Sequence, residues 1–463
     1  MVLSQQEKLE RMTTKPVETL ILRLAIPTII SMLVTSFYNM ADTYFVGQLS
    51  TAATAAVGVV FPVMAIIQAV GFFFGHGSGN FVSRALGRQE IGAAREMTST
   101  GFFAAFLAGV LIMILGLLAP DTLCKWLGAT PTILPYAKEY LTVILLGAPF
   151  TCASFVLNNQ LRFQGNAFYA MLGIATGAVL NIGLDPLFIF TFKMGISGAA
   201  AATTISQIIS FSLLLVGVWK SDTLKIHLRE FRPTGRNLLE IFRGGLPSLF
   251  RQGLASLATM LLNLAAGSAA ITAVYGDAAI AAMSIVSKIM MFAASALIGF
   301  GQGFQPVCGF NYGAERYDRV RKAFWFCVRT AVMALVVLAA VGFFAAPYVL
   351  PLFRDDAAVI EIGAQALRLQ CLTFPLMSWV IMSNMMLQTI GKTGPATILA
   401  AARQGVTFVP MILLLPALWG LNGVLWAQPV ADLLSIAIAL PIQLHALREM
   451  RRLEAERGEE HGV

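Results

Sequence analysis

The chain has 463 residues, of which 57% are hydrophobic and 12% charged, and its mean hydropathy is +0.75. That balance excludes a soluble globular domain and describes a chain built for lipid, where about 20 apolar residues cross one bilayer. The net charge of +8 would suit nucleic acid if it were clustered on one soluble face, but it is distributed over the connections between apolar runs, so no nucleic-acid partner is expected. The five cysteines (Cys124, Cys152, Cys308, Cys327, Cys371) have no CxxC spacing and mostly lie in apolar runs, which argues against a disulfide framework or metal centre.

From Met1 the chain is polar and charged through Glu18, and the first apolar stretch, 20 to 47, is too long for a signal-peptide core and lacks a small-residue cleavage site. It is expected to stay as the first of twelve spans: 20–47, 54–77, 97–118, 134–157, 168–192, 196–219, 240–266, 278–302, 323–346, 361–388, 395–416 and 421–446. Arginine and lysine concentrate at alternate connections: around Lys8 to Lys15, Arg84 to Arg95, Arg162, Lys220 to Arg243, Arg316 to Lys322, Lys392 and Arg448 to Arg457. The opposite connections hold only Lys125, Lys193 and Arg354 as cations, beside Asp121, Asp277, Asp355 and Asp356. The positive-inside rule then places both termini in the cytoplasm. The expected setting is multi-pass, in a bacterial cytoplasmic (inner) membrane, with the lipid bilayer and small-molecule substrates as partners and a monomer as the unit.

The chain also repeats itself. Gly75, Gly77 and Gly87 return as Gly301, Gly303 and Gly313; Pro149, Asn158 and Gly165 return as Pro375, Asn384 and Gly391, all at one shift of 226 positions. After a one-residue deletion Gly195, Gly198 and Ser210 return as Gly420, Gly423 and Ser435, and before a six-residue insertion Pro27 returns as Pro247. Six spans per repeat is an even number, so the second copy enters the membrane in the same direction as the first. The predicted fold is therefore all-α and integral to the membrane: twelve transmembrane helices in two six-helix bundles related by a pseudo-twofold axis along the membrane normal, with a site between them. The units are an amino-terminal lobe (1–219), a basic cytoplasmic linker (220–239), a carboxy-terminal lobe (240–446) and a cytoplasmic tail (447–463), amphipathic and solvated.

Several runs make the resemblance specific: Ala41-Asp42-Thr43-Tyr44-Phe45-Val46-Gly47-Gln48, Ser83-Arg84-Ala85-Leu86-Gly87, the cluster Asn181, Leu184, Asp185, Pro186, Leu187, and Gly301-Gln302-Gly303-Phe304-Gln305-Pro306 leading to Asn311-Tyr312-Gly313. Together they resemble the MATE (multidrug and toxic compound extrusion) transporters, over nearly the whole chain from about Leu24 to Asp432. The resemblance implies a cation-coupled antiporter that exports amphipathic small molecules such as drugs or toxic metabolites by alternating access. It also implies that Asp42, Asp185, Asn181, Tyr38, Thr203 and Asn158 serve ion coupling or line an amino-terminal cavity, in the branch that keeps its coupling carboxylates in that lobe.

The residues themselves point the same way. At a rise of 1.5 Å per residue, Asp42 and Asp185 both fall roughly 8 to 10 Å below the outer boundary. Thr203 reaches a similar level, and Asn181 and Tyr38 each sit one turn below a carboxylate on its own face. A carboxylate at that depth must be protonated, hold a cation or pair with a cationic ligand, because an unpaired charge there costs several kcal/mol. Protons and Na+ (held by Asp42, Asp185, Asn181 and Thr203) both fit, and no further cofactor is implied. Thr35, Asn39, Asn158, Met32 and Met290 are the candidate substrate-binding residues, on spans that should border the cleft; hydroxyls, amides and methionines also serve as ordinary helix packing.

The second half carries no carboxylate at the counterparts of Asp42 and Asp185, which are Leu262 and Met411. Instead Arg251, Lys288, Arg403 and Asp432 lie within its spans, where the first half has Ser31, Pro62, Gly177 and Gln207. Intramembrane charges usually pair, so a structural ion-pair network is the favoured reading, and an anion- or zwitterion-binding wall the sharper one. The cations also keep a flippase for a lipid-linked or anionic intermediate in view as an alternative. An intramembrane enzyme is not: His76 and Ser78 stand in a glycine pattern whose second copy has Gln302 and Phe304 instead, as expected of backbone packing rather than catalysis.

Overall fold

The computed structural model describes residues 5–220, 224–268, 271, 274, 275 and 277–460; residues 221–223 of the expected linker and 461–463 of the expected tail lie outside them. Among the described residues every regular element is helical. A short amphipathic α1 (Gln5–Thr14) leads to α2 (Val17–Gly47), α3 (Thr51–Gly87), α4 (Ile91–Leu118), a short α5 (Pro120–Trp126), α6 (Leu134–Phe163), α7 (Ala167–Pro186) and α8 (Gly195–Lys220). The second half runs through α9 (Gly235–Ala266), α10 (Ala278–Gly313), α11 (Tyr317–Val349), α12 (Ala357–Thr373), α13 (Met377–Thr389), α14 (Thr393–Ala401), α15 (Phe408–Trp419) and α16 (Leu421–Glu460). Among the described residues eleven helical segments are long and apolar enough to cross a membrane, with α12–α13 and α14–α15 each counting as one. The twelfth crossing is α9, 32 residues long, which is more polar and carries Arg236, Arg243 and Arg251.

Backbone geometry repeats as the sequence does. Left-handed residues recur in pairs: Gln89 (φ 62°) with Glu315 (φ 59°), Gly165 (φ 80°) with Gly391 (φ 86°), and Gly195 (φ 60°) with Gly420 (φ 55°). Each ends a helix or opens the next, where a positive φ turns the chain out of the helical path. Asn158 donates its amide to the carbonyl of Ala170 at 3.0 Å, and Asn384 does the same to Ala396 at 2.6 Å. The two lobes thus carry the same side-chain strap across the same helix junction.

The copies differ where their helices deform. The fourth helix of the first lobe, α6, is continuous through Pro149, whereas its copy breaks into α12 and α13 over a 3-10 turn, Phe374–Leu376, that holds Pro375. The fifth helix of the first lobe ends at Pro186 and continues as a π turn, Leu187–Thr191, while its copy carries a π turn earlier, Ala402–Thr407. Such turns insert a residue into the helical ladder and re-aim the side chains that follow.

Both lobes contribute to one core at the end of the bundle that carries the basic connections. There Leu20, Leu24, Ala25, Val82 and Ala85 pack with Phe304, Val307, Phe324 and Met386. At the other end the cores separate: Val46, Ala56, Tyr140 and Ile196 belong to one, Ala258, Ala279, Leu350 and Val424 to another. The inter-lobe contact at the basic end is backbone-close. A Cβ on Gly303 would stand 2.4 Å from the Ala25 Cα, and one on Gly77 2.3 Å from the Ile241 carbonyl oxygen. In lipid, where no hydrophobic force drives helix association, small residues at a seam are what lets two helices bury each other's surface.

Polar bonds finish this closure. Thr28 donates to the carbonyl of Gly299 at 2.6 Å, Arg84 to that of Thr389 at 2.6 Å, and Thr389 to the side chain of Asn80 at 2.9 Å. Ser36 and Ser295 share a 2.6 Å bond, which is the last hydrogen bond between the lobes, among the described residues, on the way to the opposite end. Beyond it each lobe packs around its own core. The linker is fastened to the first lobe, with the amides of His227 and Arg232 donating to Ser99 and Thr100 at 3.2 Å each.

Candidate functional site: a polar cluster in the amino-terminal lobe

Asp185 closes α7 and is fully buried. Asp42, on the outer part of α2, faces it closely enough for the two carboxyls to interact, and the Oδ1 atom of Asp42 is buried without a hydrogen-bond partner. Asn181, one turn before Asp185, joins this pair to α8. With its amide oxygen turned toward α8, it donates to Asp185 Oδ2 at 3.2 Å and accepts from the Thr203 hydroxyl at 3.2 Å and the Thr203 backbone at 3.3 Å. That orientation satisfies both ends of the amide, which decides it.

Beside the carboxyl pair lies a narrow cavity of about 40 Å³, lined by Thr35, Tyr38, Gln68, Asn181, Thr203 and Gln207 among others. The volume suits water-sized occupants, such as an ion or a proton-carrying water. Two carboxyls at close range in a low dielectric require a shared positive charge, either one proton or one cation. The oxygen-rich surroundings suit a hard cation or a proton equally.

The sequence-derived candidates therefore divide. Asn181, Thr203 and Tyr38 line one cavity together with Thr35, whose hydroxyl also donates to the Ser31 carbonyl at 2.8 Å, while Asp42 and Asp185 meet beside Asn181 without lining it. Asn39 is exposed on α2, and Met32 lies at the inter-lobe seam, where Gln302 donates to its sulfur at 3.8 Å. Met290, half-buried, packs between the core shared by the lobes and that of the second lobe. Asn158 stands apart, committed to the strap on Ala170 described above. Gln68, Ser154, Ser206 and Gln207 are lining residues that sequence reasoning passed over; Gln207 alone had a signal, as the counterpart of a charged residue.

The charges of the second lobe do not form one network. Arg403, delivered by the π turn, donates through Nε to Asp432 Oδ1 at 2.9 Å. Gln428 adds a bond to the same oxygen at 2.8 Å, and Thr373 one to Oδ2 at 3.1 Å. Arg251 instead donates to the side-chain oxygen of Asn384 at 3.2 Å, and Lys288 is exposed. The equivalents of Arg403 and Asp432 in the first lobe, Gly177 and Gln207, both line its cavity, so an ion pair fills in one lobe the space that the other keeps open.

His76 and Ser78 are interior helix residues. The imidazole Nδ1 bonds the Phe72 carbonyl at 3.1 Å and Nε2 lies 3.4 Å from the Arg162 guanidinium, while Ser78 donates to the Phe74 carbonyl at 2.7 Å. The glycines flanking them face neighbouring helices, as at Gly79, where a Cβ would meet the Phe163 ring at 2.2 Å.

The MatE family model matches residues 27–187 and 247–413, one segment in each lobe. The chain belongs to the MatE family. Among curated relatives it is 28% identical over 437 residues to the multidrug export protein MepA of Staphylococcus saprophyticus, covering 94% of each chain, and 28% identical over 447 residues to MepA of Staphylococcus aureus strain MRSA252, covering 96% of this chain and 97% of that one. Among solved structures it superposes with a TM-score of 0.90 on an outward-facing multidrug resistance MATE family transporter of the MOP superfamily, at 28% identity over 98% of this chain and 100% of that one. A MATE structure in a straight conformation gives the same score, over 96% and 99%. The MATE relationship makes the chain a membrane transporter built of two helical bundles.

Proposed function

We propose that the protein is a cation-coupled antiporter that exports amphipathic small molecules, drugs or toxic metabolites, across a bacterial inner membrane by alternating access, with both termini in the cytoplasm. The observation that carries this reading is the meeting of Asp42 and Asp185 in the outer half of the first lobe, joined through Asn181 to Thr203, beside a small polar cavity. The ion and the exported molecule then use neighbouring spaces in one lobe, and coupling is competition through the helices between them. The names of the staphylococcal relatives, multidrug export proteins, support the cargo class.

In this mechanism the outward-facing carboxyl pair takes a proton or Na+, α2 repacks about Pro27, and the cleft loses affinity for cargo. One charge moving down about 100 mV contributes roughly 2.3 kcal/mol, a bias of about fifty-fold. The seam held by Thr28, Ser36, Arg84 and Thr389 must open on the return stroke, and its few polar bonds, each worth about 1 kcal/mol net, suit a contact that re-forms every cycle. The flippase alternative needs free guanidinium groups for phosphate, and the bonds of Arg403 to Asp432 and of Arg251 to Asn384 argue against it.

The decisive experiment is transport of ethidium into everted vesicles under separately imposed proton and sodium gradients, comparing the parent with Asp42→Asn. The parent should respond to one gradient and the variant to neither. Equal gradient-driven uptake by both proteins would remove the carboxyl pair from the coupling mechanism.

A further inference from the structure

The ten-residue helix α1 is too short to hold its shape alone in water, and the contacts that order it reach both lobes. On the first lobe Lys8 donates to the side chain of Asn166 at 3.3 Å, in the turn between α6 and α7, and a Cβ on Gly165 of that turn would lie 3.8 Å from the Met12 methyl. On the second lobe Asn311, near the end of α10, donates to the Met12 carbonyl at 3.0 Å, and Arg319, in the first turn of α11, donates to the carbonyls of Thr14 and Lys15. Arg319 also donates through Nε to Asn311 Oδ1 at 2.8 Å, which turns the Asn311 amide toward α1. The buried Met12 side chain belongs to the core that both lobes share, with Val82 of one and Phe310 of the other.

The linker leads into α9 as α1 leads into α2. Its amides are bonded to Ser99 and Thr100 on α4, the third spanning helix of the opposite lobe, and α1 is bonded to α11, the third spanning helix of the lobe opposite α2. The linker has to cross, because it joins the lobes covalently. No such constraint acts on α1, and the side chains that receive it belong to the second lobe only: at the shift of 226 positions Asn311 and Arg319 correspond to Ala85 and Ala93. Only Lys15 and Pro16 separate α1 from α2, so the two helices move together. If the lobes part at the basic end, Asn166 draws away from Asn311 and Arg319, and α1 cannot keep both sets of contacts.

We propose that α1 is a strap across the basic end, which favours the closed seam described above and lets go of Asn311 and Arg319 each time that end opens. The inference rests on the alternating access in the reading above and adds an element that sets its equilibrium. The chemistry suits a contact that is made and broken: the Thr14 and Lys15 carbonyls are exposed, so water replaces the guanidinium when the strap releases, and losing the bonds shifts the population of the two states rather than unfolding either lobe. The ion pair of Glu18 on α2 with Lys322 on α11, at 3.1 Å, lies on the same side and adds little, because both side chains are solvated.

The native cysteines report on the strap. Cys308, a neighbour of Arg84 across the seam, is buried in the shared core, whereas Cys124 and Cys152 are buried in the separate core of the first lobe and Cys371 in that of the second. The full-length protein in proteoliposomes is labelled with N-ethylmaleimide, the rate at each cysteine is read by peptide mass spectrometry, and ethidium efflux is followed in parallel. Arg319→Gln should speed labelling of Cys308 about tenfold and that of Cys152 and Cys371 by less than about twofold. Met12→Ala should act in the same direction, and the double variant should go no further than the stronger single one, because both release the same strap. Equal Cys308 rates in the parent and Arg319→Gln overturn the proposal, and so does faster labelling at Cys152 and Cys371 as well, the result of a fold that is merely less stable. A parent that exports ethidium while Cys308 stays unlabelled overturns the opening of this end itself, and the strap with it.

Discussion

Arg403 and Asp432 form an ion pair 2.9 Å long in the second lobe, at the two positions where the first lobe places Gly177 and Gln207 on its cavity. One repeat keeps a polar space open and the other fills it with a pair of opposite charges. If the first lobe carries the coupling carboxyls, as proposed above, the asymmetry gives the lobes separate duties, the second holding its shape through the pair.

If the pair is structural, removing one member should be worse than removing both. Arg403→Met leaves Asp432, which is 4% exposed, without its cation, and is expected to destabilise the protein by about 3 to 5 kcal/mol. Arg403→Met combined with Asp432→Leu should recover most of that loss. Thermal unfolding in detergent measures it, and a double variant with a lower Tm than either single one would count against the pairing.

Replacing Asp185 with Asn should abolish stimulation of efflux by an imposed ion gradient while leaving ethidium binding within about twofold, because binding common to both states does not depend on coupling. Thr203→Val should act in the same direction but more weakly, since it removes one partner of Asn181 and no charge. Gradient-driven efflux from proteoliposomes, set against equilibrium binding, separates the two quantities.

Asn158 and Asn384 make the same bond in the two lobes, so Asn158→Ala should lower stability by about 1 to 3 kcal/mol and Asn384→Ala by more, because it also takes from Arg251 the acceptor of its 3.2 Å bond. A substrate-binding role for Asn158 would instead show as weaker drug binding in that variant alone. Paired Tm and ethidium titrations distinguish these outcomes.

The glycine seam makes a position-specific forecast. Gly303→Ala puts a methyl group 2.4 Å from the Ala25 Cα, where only backbone movement can relieve the clash. It should reduce drug tolerance about tenfold or more at unchanged protein level. Gly253→Ala, on α9 with nothing within 4 Å of the added carbon, should be tolerated and gain up to about 1 kcal/mol from helix propensity. Minimum inhibitory concentrations, with immunoblots of membranes, test both.

Much of this molecule was legible along the chain. A run of about 20 apolar residues has one outcome in lipid, a helix, because every backbone polar group must be satisfied internally; hence the spans, and from their even number the parallel repeat. Asp42, Asp185 and Asn181 were legible for a related reason, since polar groups are rare in such runs and helical spacing fixes their depth. The π turn at Ala402–Thr407, the break at Pro375 and the polar lining from Gln68 and Ser206 carried no comparable signal. A glutamine or serine in a span reads the same whether it faces a cavity, a neighbouring helix or its own preceding turn.

The sequence by itself determined the helices, their alternation, the repeat and the carboxyls, all of which follow from local hydropathy and one-dimensional spacing. Only the tertiary structure decided the partners. It paired Arg403 with Asp432 rather than leaving it to an anion, committed Asn158 to a carbonyl, and gathered the lobes at one end. Those outcomes depend on the rotation and crossing of helices hundreds of residues apart, which packing of small residues at the seam settles and no single stretch of sequence encodes.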